Sequence, residues 1–301
     1  MKKHKIYIAG CGGMLGEAFY KVFGADHEIK YTDKDVNEDW LSFLDFRDRA
    51  AYQADVRAFR PDLLFHLGAH TSLEYCEENV EDAYRTNTLA VEDAVHLANE
   101  LEIPLLYIST AGIFDGAQEE YDDWDQPNPL GHYARSKYMG ELFVAQNCRR
   151  YLVCRAGWMM GGGPKKDKKF IQKLMLQIKA GNKELLVVDD KLGTPTYTHD
   201  FARNVKMLFE NEVWGVYNMV CGGVTSRLEV ARELVRLLGK AGEIEVMPVS
   251  SEYFAKEYFA PRPPSERLIT RKLTLREFNV MRDWRVCLEE YIATYYKEYL
   301  P

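Results

Sequence analysis

The sequence predicts an α/β protein, a doubly wound parallel sheet with a smaller C-terminal α/β lobe. Three observations carry that expectation. Short apolar runs alternate with segments of helical period through the first half of the chain. A glycine-rich turn follows the first of those runs. The alternation loses its regularity after about residue 157, where a second lobe is expected to begin. At 301 residues the chain has the length of two domains, or of one large unit with an added lobe.

"KIYIAG" is a short apolar run ending in glycine, and Leu15, Ala18, Phe19, Val22 and Phe23 then recur at helical spacing. "EIKYTD" reads as a second strand. "DLLFHLGAH" reads as a third, so apolar that both its faces are expected to be buried. A long helix is predicted from about Val80 to Glu100, with Ala83, Asn87, Ala90, Val91, Ala94 and Leu97 facing inward. "PLLYIST" is the next strand, "ARSKYMGELFVAQN" a helix and "YLVCRAGW" a strand. Strands alternating with helices make parallel βαβ units, the Rossmann arrangement. Residues 1–157 are therefore assigned to a dinucleotide-binding domain that also uses about 186–220, and 158–301 mainly to a substrate-binding lobe. In that lobe "GGGPKKDKKF" reads as a flexible basic loop and "FIQKLMLQIKAG" as a helix ending at Gly181. "ELLVVDD" and "GVYNMV" read as strands, and "SRLEVARELVRLLG" as a helix with Ser226 as N-cap. "YFAPRPPSERLIT" is a proline-broken loop, and "LEEYIATYYKEYL" a final helix. The lysine run at 165–169 is read either as a solvated loop or as the edge of an anionic substrate site.

Composition narrows the function classes. An apolar fraction of 47% suits a globular protein with a full core, and a net charge of -7 argues against a nucleic-acid surface. No apolar run approaches the roughly 20 residues of a membrane span. The start "MKKHKIYIAGCGGML" has the basic-then-apolar look of a signal peptide, but Gly10, Gly12 and Gly13 cut the run and Glu17 follows it. The six cysteines, Cys11, Cys76, Cys148, Cys154, Cys221 and Cys287, are scattered and form no Cys-x-x-Cys pair. They read as buried reduced thiols, which points to the cytoplasm. No ligand cluster in the sequence calls for a metal.

"GCGGMLG" sets Gly10, Gly13 and Gly16 in the spacing G-x-x-G-x-x-G, directly after a strand and opening a helix. Glycine allows the tight turn and lets backbone N–H groups approach a pyrophosphate, which the positive end of the helix then faces. Gly10, Gly12, Gly13, Met14, Leu15 and Gly16 are the candidate cradle. Asp33, at the end of the second strand, is placed to accept the ribose hydroxyls of NAD and to repel a 2′-phosphate. Lys30 and Lys34 soften that preference, and no arginine stands nearby to grip a phosphate. The reading favours NAD(H) over NADP(H). "LDFRD" offers Asp45 and Phe46 to the adenine, with an ordinary N-cap as the other reading of Asp45.

"YISTAGIFDG" puts Ser109 and Thr110 at the carboxyl end of a parallel strand, the edge where such sheets bind ligands. In "GHYARSKYMGE", Tyr133 and Lys137 lie one helical turn apart and share a face. With 19 tyrosines in the chain, a Tyr-x-x-x-Lys pair arises readily by chance, so its meaning comes from the glycine loop and the Ser-Thr strand end. A free phenol, with a pKa of roughly 10, exchanges protons poorly at neutral pH, and a cation a few ångströms away lowers that pKa. Lys137 is expected to do so for Tyr133. Tyr133 then gives a proton to a carbonyl oxygen as hydride reaches its carbon, with Thr110 hydrogen-bonded to the same oxygen.

These residues together resemble the extended short-chain dehydrogenase/reductase family, and within it the dTDP-4-dehydrorhamnose reductase branch. The resemblance spans nearly the whole chain, through "GCGGMLG", "HLGAHTSLEYCE", "TNTLAVEDA", "STAGIFDG", "HYARSKYMGE", "VCRAGWMMGGG", "VVDDKLGTPTYTHDFA" and "PRPPSERLIT". It implies a catalytic Thr110, Tyr133 and Lys137. It implies that Gly68, Ala69 and His70 line the cofactor and that Asn87 orders that side of the site. Thr71, Leu73 and Trp158 match positions used around the sugar, core packing being the other reading of Trp158. Arg262 and Ser265 fall in a loop that closes over the nucleotide end. A homodimer is compatible with the branch. One departure stands out. The branch usually carries Asp-Tyr after the threonine, whereas this chain has Ala111-Gly112. The related 4,6-dehydratases resemble Asp-Glu at that place, and GDP-fucose synthase a cysteine. With neither acid nor cysteine at 111 or 112, the extra acid/base equipment is expected to be missing, which leaves simple hydride transfer.

The leading expectation is an NAD(P)H-dependent reductase of a 4-keto sugar nucleotide. A sugar-nucleotide 4-epimerase would use the same triad but retain its NAD and return the hydride. A non-catalytic NAD(P)-binding regulatory subunit, like that of methionine adenosyltransferase, also resembles the branch, although it has no need of an intact Thr110, Tyr133 and Lys137.

Overall fold

β-Branched and aromatic runs flanked by helical segments give the chain its layers. The computed structural model describes residues 3–299. Met1 and Lys2 of the basic start, and Leu300 at the end of the expected final helix, lie outside the described residues. The chain runs β1 (Lys5–Ala9), α1 (Met14–Phe23), β2 (Glu28–Asp33), β3 (Leu41–Phe43), α2 (Arg49–Phe59), β4 (Leu63–His66), α3 (Leu73–Glu78), α4 (Val80–Tyr84), α5 (Ala90–Glu100), β5 (Leu105–Thr110), α6 (His132–Asn147) and β6 (Tyr151–Ala156). It continues through β7 (Trp158–Met160), α7 (Gly163–Lys166), α8 (Phe170–Lys179), β8 (Glu184–Val188), β9 (Leu192–Gly193), β10 (Pro195–Tyr197), α9 (Thr198–Glu210) and β11 (Gly215–Asn218). It closes with β12 (Thr225–Ser226), α10 (Arg227–Leu237), β13 (Glu245–Val249), β14 (Ser265–Glu266), α11 (Arg271–Leu275) and α12 (Trp284–Tyr295).

The central sheet has seven strands in the order β3-β2-β1-β4-β5-β6-β11, and every pairing is parallel. Helices cover both faces, so the strands are apolar on both sides. Alternation along β1 divides the core: Ile6 and Ile8 pack on one side, Tyr7 and Ala9 on the other. Strand order reverses between β1 and β4, which opens a crevice at their carboxyl ends.

Three details differ from a plain reading of the sequence. The helix expected over Val80–Glu100 is two α-helices joined by a π turn, Arg85–Leu89, and that turn carries Asn87. Of the 186–220 stretch, α9 packs on α1 and β11 completes the central sheet, but β8 pairs with β13 in a separate two-stranded sheet. The "GGGPKK" stretch is also more ordered than expected. Gly162 and Gly163 take positive φ (70° and 61°), which turns the chain into the short α7 and drives Lys166 inward.

Candidate active site

The glycine loop leaves β1 at the switch point. Gly10 has φ +84°, and a Cβ there would lie 2.3 Å from the backbone of Gly68 at the end of β4. A Cβ on Gly68 would in turn strike the ring of Phe46. Two strand ends and an aromatic edge therefore close one wall of the crevice. Gly16 lets α1 pack directly on the Cys11 carbonyl. Gly13, the N-cap of α1, differs from these: nothing lies within 4 Å of where its Cβ would be, and no side chain caps the helix. The first N–H groups of α1, from Met14 and Leu15 on, face that open space. Asp33 ends β2 beside the loop, and its carboxylate accepts from Gly12 N–H (2.7 Å) and Asp35 N–H (2.8 Å).

Neighbouring charges are arranged differently from the expectation. Lys30 turns to the other face of β2 and pairs with Asp55 at 2.5 Å, away from Asp33. The Asp45 carboxylate is held by Arg47 at 2.6 Å, which lowers its pKa, and the N-cap of α2 is Asp48. Lys166 arrives from 154 residues beyond Gly12 and covers the loop. Its ammonium donates to Gly12 O (3.1 Å) and to Asn37 Oδ1, and pairs with Glu38. Only 2% of the Lys166 side chain is exposed, so this part of the lysine run is not solvated loop.

The second wall is built from the π turn and α6. Asn87, fully buried, takes the His70 N–H on its Oδ1 (2.9 Å) and donates to His70 O and Ser136 Oγ. It thus holds the Gly68-Ala69-His70 segment against α6. His70 Nε2 lies 2.8 Å from Asp82. Ser109 is buried at the end of β5, with its hydroxyl unpartnered among the described residues.

Thr110 ends β5 facing Tyr133 in the first turn of α6. Its hydroxyl accepts from Gly112 N–H at 3.1 Å. α6 starts on Gly131 without a cap of its own, and Glu77 supplies one by accepting from His132 N–H at 2.6 Å. Lys137, one turn beyond Tyr133, is 3% exposed, and its ammonium sits 4.1 Å from the Tyr107 ring centroid. Burial lowers the Lys137 pKa to about 7, against the opposing charge of Glu141. Burial raises Tyr133 to about 12, with the Glu266 charge adding to the rise and the Thr110 hydroxyl drawing it back. The expected fall in the Tyr133 pKa is therefore absent. Both groups are desolvated, and burial is the largest influence on Tyr133.

The remaining wall of the cleft draws on distant segments. Leu73, Gly112, Gly131, Tyr133, Pro261, Pro263 and Glu266 line a pocket whose free interior is about 10 Å³, room for roughly one water. Trp158 lies against Gly193, with its indole N–H donating to Glu266 Oε2 at 2.8 Å. Arg227 stacks on the same ring at 3.8 Å, and its burial lowers its pKa to about 10. Thr71 is engaged by Lys169, which donates to its carbonyl and its hydroxyl. Arg262 pairs with Glu74 at 2.7 Å, latching the proline segment to α3. The Ser265 hydroxyl is buried and donates to Glu119 O, so it braces the loop from inside.

Glu77, Arg227 and Glu266 escaped the sequence reading, and Lys166 entered it only within the 165–169 run. Glu266 adjoins Ser265 in "RPPSERLIT", and neighbours on a strand point opposite ways. With Ser265 turned inward, Glu266 faces the cleft. The acid sought at 111–112 is thus present in space, beside Gly112, although it is absent there in sequence. Among the described residues no group of three His, Cys, Asp or Glu side chains is arranged to hold a metal, and no helix is long and apolar enough to cross a membrane.

Comparison with known proteins agrees with this geometry. The chain is 30% identical to the dTDP-4-dehydrorhamnose reductase of Mycobacterium tuberculosis over 298 residues, covering 97% of this chain and 93% of that one. Its fold is similar to dTDP-4-dehydrorhamnose reductase from Yersinia enterocolitica (TM-score 0.87, 30% identity, covering 98% and 100%). It is also similar to that from Bacillus anthracis in complex with NADP (TM-score 0.89, 27% identity, covering 97% and 100%). The model of the RmlD substrate binding domain matches residues 4–297, and with the glycine crevice and the Thr110-Tyr133-Lys137 edge inside that span, the chain belongs to the RmlD substrate binding domain family.

Proposed function

We propose that this chain reduces the 4-keto group of a sugar nucleotide with NADH or NADPH, the activity named in its dTDP-4-dehydrorhamnose reductase relatives. The observation that carries the reading is the Thr110 hydroxyl, at the carboxyl end of β5, hydrogen-bonding Tyr133 in the first turn of α6. The crevice fits a nicotinamide dinucleotide: open space over Gly13, an uncapped helix start, a carboxylate at Asp33 and a buried unpartnered Ser109 hydroxyl. Gly10, Gly12, Gly13, Met14, Leu15 and Gly16 would hold the pyrophosphate, and Asp33 the adenosine ribose. Asp45, Phe46, Gly68, Ala69, His70 and Asn87 would form the surrounding wall. When bound, the dinucleotide supplies the hydride.

The chain's own residues supply the proton. With its pKa near 12, Tyr133 stays protonated at neutral pH, the state from which a reduction begins. It donates that proton to the substrate oxygen, which Thr110 also hydrogen-bonds. The phenolate left on Tyr133 is stabilised by the Lys137 ammonium one turn away. Pro261 and Pro263 line the narrow pocket over Tyr133, on the side where the sugar would bind. Thr71, Leu73, Trp158, Arg262 and Ser265 belong to that side. Six buried, unpaired cysteines suit a reducing compartment, here assigned as the cytoplasm, and a homodimer is part of the reading.

The test is oxidation of NADH and of NADPH with enzymatically generated dTDP-4-keto-L-rhamnose. Cofactor consumption that depends on the keto sugar is the expected result. Tightly retained NAD with no net consumption would replace the reading with a 4-epimerase.

A further inference from the structure

The carboxylate of Glu266 is held with unusual definition for a side chain at a loop end. Its backbone is pinned, because β14 pairs in parallel with β9 and the adjoining Arg267 ion-pairs with Glu119 at 2.6 Å. Its Oε2 is aimed by the Trp158 indole N–H, 2.8 Å away. That indole cannot swing. The Gly193 backbone packs so closely on its ring that a Cβ there would lie 2.1 Å from it, and the Arg227 guanidinium stacks on the ring at 3.8 Å. The other oxygen, Oε1, has no hydrogen-bond partner among the described residues, and it lies 3.3 Å from where a Cβ of Gly112 would stand. The missing side chain at Gly112 thus leaves room for the carboxylate next to Thr110 and in the same pocket as Tyr133. An acceptor held on a rigid support, with one oxygen spent on orientation and one left free, is a recognition group for a hydroxyl donor.

We propose that Glu266 determines sugar specificity, accepting through Oε1 a hydrogen bond from the sugar hydroxyl beside the reacting carbonyl. The proposal rests on the reductase reading for the identity of the sugar. In a 4-keto-6-deoxy sugar the hydroxyl next to the carbonyl is at carbon 3, since carbon 5 carries only a methyl group and the ring oxygen. A carboxylate accepts from that hydroxyl more strongly than a neutral group does, and it selects against sugars that lack the donor.

The test separates sugar contact from packing. Glu266→Gln keeps an oxygen for the Trp158 N–H and loses the second acceptor, and Glu266→Ser removes both. The protein, saturated with its oxidised cofactor, is titrated by calorimetry with dTDP, with dTDP-L-rhamnose and with the 3-deoxy counterpart of that sugar nucleotide. Turnover of the keto sugar is measured in parallel. The expected result is that Glu266→Gln weakens dTDP-L-rhamnose about 10- to 100-fold, the range of a charge-assisted hydrogen bond. Binding of dTDP stays unchanged, and wild type and variant bind the 3-deoxy compound alike. Equal loss for dTDP and for the sugar nucleotide, in both variants, would make Glu266 a packing residue and overturn the proposal, as would unchanged sugar binding. Wild-type protein that binds dTDP-L-rhamnose without turning over the keto sugar would defeat the reductase reading alone, and the binding comparison would still judge Glu266. Wild-type protein that does neither overturns both.

Discussion

On the proposed cofactor side of the cleft, Gly10, Gly12, Gly13 and Gly16 lie within one turn and the start of one helix, and Asp33 ends the very next strand. On the proposed sugar side, Leu73, Trp158, Gly193, Arg227 and Glu266 come from five separate segments. The first wall is made mainly of backbone, positioned by glycine and by a helix end. The second is made of side chains that orient one another, indole on glycine, guanidinium on indole, indole N–H on carboxylate. Backbone sites made by neighbouring residues tolerate exchange of sequence elsewhere. A side-chain site assembled from distant segments changes when any one of its members does.

The comparison can be broken first at the residue the two walls share. Tyr133→Phe should lower kcat by about 10³-fold or more while dinucleotide binding stays the same, measured by single-turnover kinetics and by fluorescence titration. Retained turnover would remove the proposed proton donor. Next is Lys137→Met, with an expected loss of about 10²-fold in kcat. Its stability should move the other way. The folded chain holds Lys137 near pKa 7, well below its ordinary value, so the cost of burying the ammonium is fully present below about pH 7. That cost falls away as pH rises toward the unfolded value of about 10.4. The variant should therefore melt higher than wild type, by more at pH 6 than at pH 10, in cofactor-free thermal scans.

A smaller effect sharpens the contrast within the cofactor wall. Gly13→Ala should leave stability within about 0.5 kcal/mol, since the added methyl meets no protein atom and its φ of -90° suits alanine. It should weaken the dinucleotide about tenfold or more, because the space it fills is the one the cofactor needs. Gly10→Ala, at φ +84° against the Gly68 backbone, should instead cost stability directly, at least roughly 1–3 kcal/mol in urea denaturation. The smallest expected change is on the sugar side. Arg262→Ala releases the proline segment from Glu74 and should alter KM for the sugar nucleotide a few-fold, with the cofactor constants unmoved.

Strand and helix succession was legible because period two and period 3.6 are written locally, and the glycine loop because its neighbours in sequence are its neighbours in space. The π turn at Arg85–Leu89 was not, since its hydrophobic pattern reads as plain helix and the turn is stabilised by Asn87 bonding to His70 and Ser136, 17 residues before it and 49 after it. Lys166 was read only as part of the 165–169 run, either solvated or at the edge of an anionic site. Three glycines in succession turned it onto Gly12, Asn37 and Glu38 instead. The pKa of Tyr133 was read from Lys137 one turn away, whereas burial, which depends on the whole fold, sets its direction.

The sequence by itself determined the strand and helix succession, the glycine loop and the Tyr133-Lys137 pair, because each depends on residues a few positions apart on one strand, loop or helix. Only the tertiary structure decided that a carboxylate stands beside Gly112. Residues 112, 158, 193, 227 and 266 meet through packing between segments, and the chemistry at their junction belongs to their distances, which no local spacing encodes.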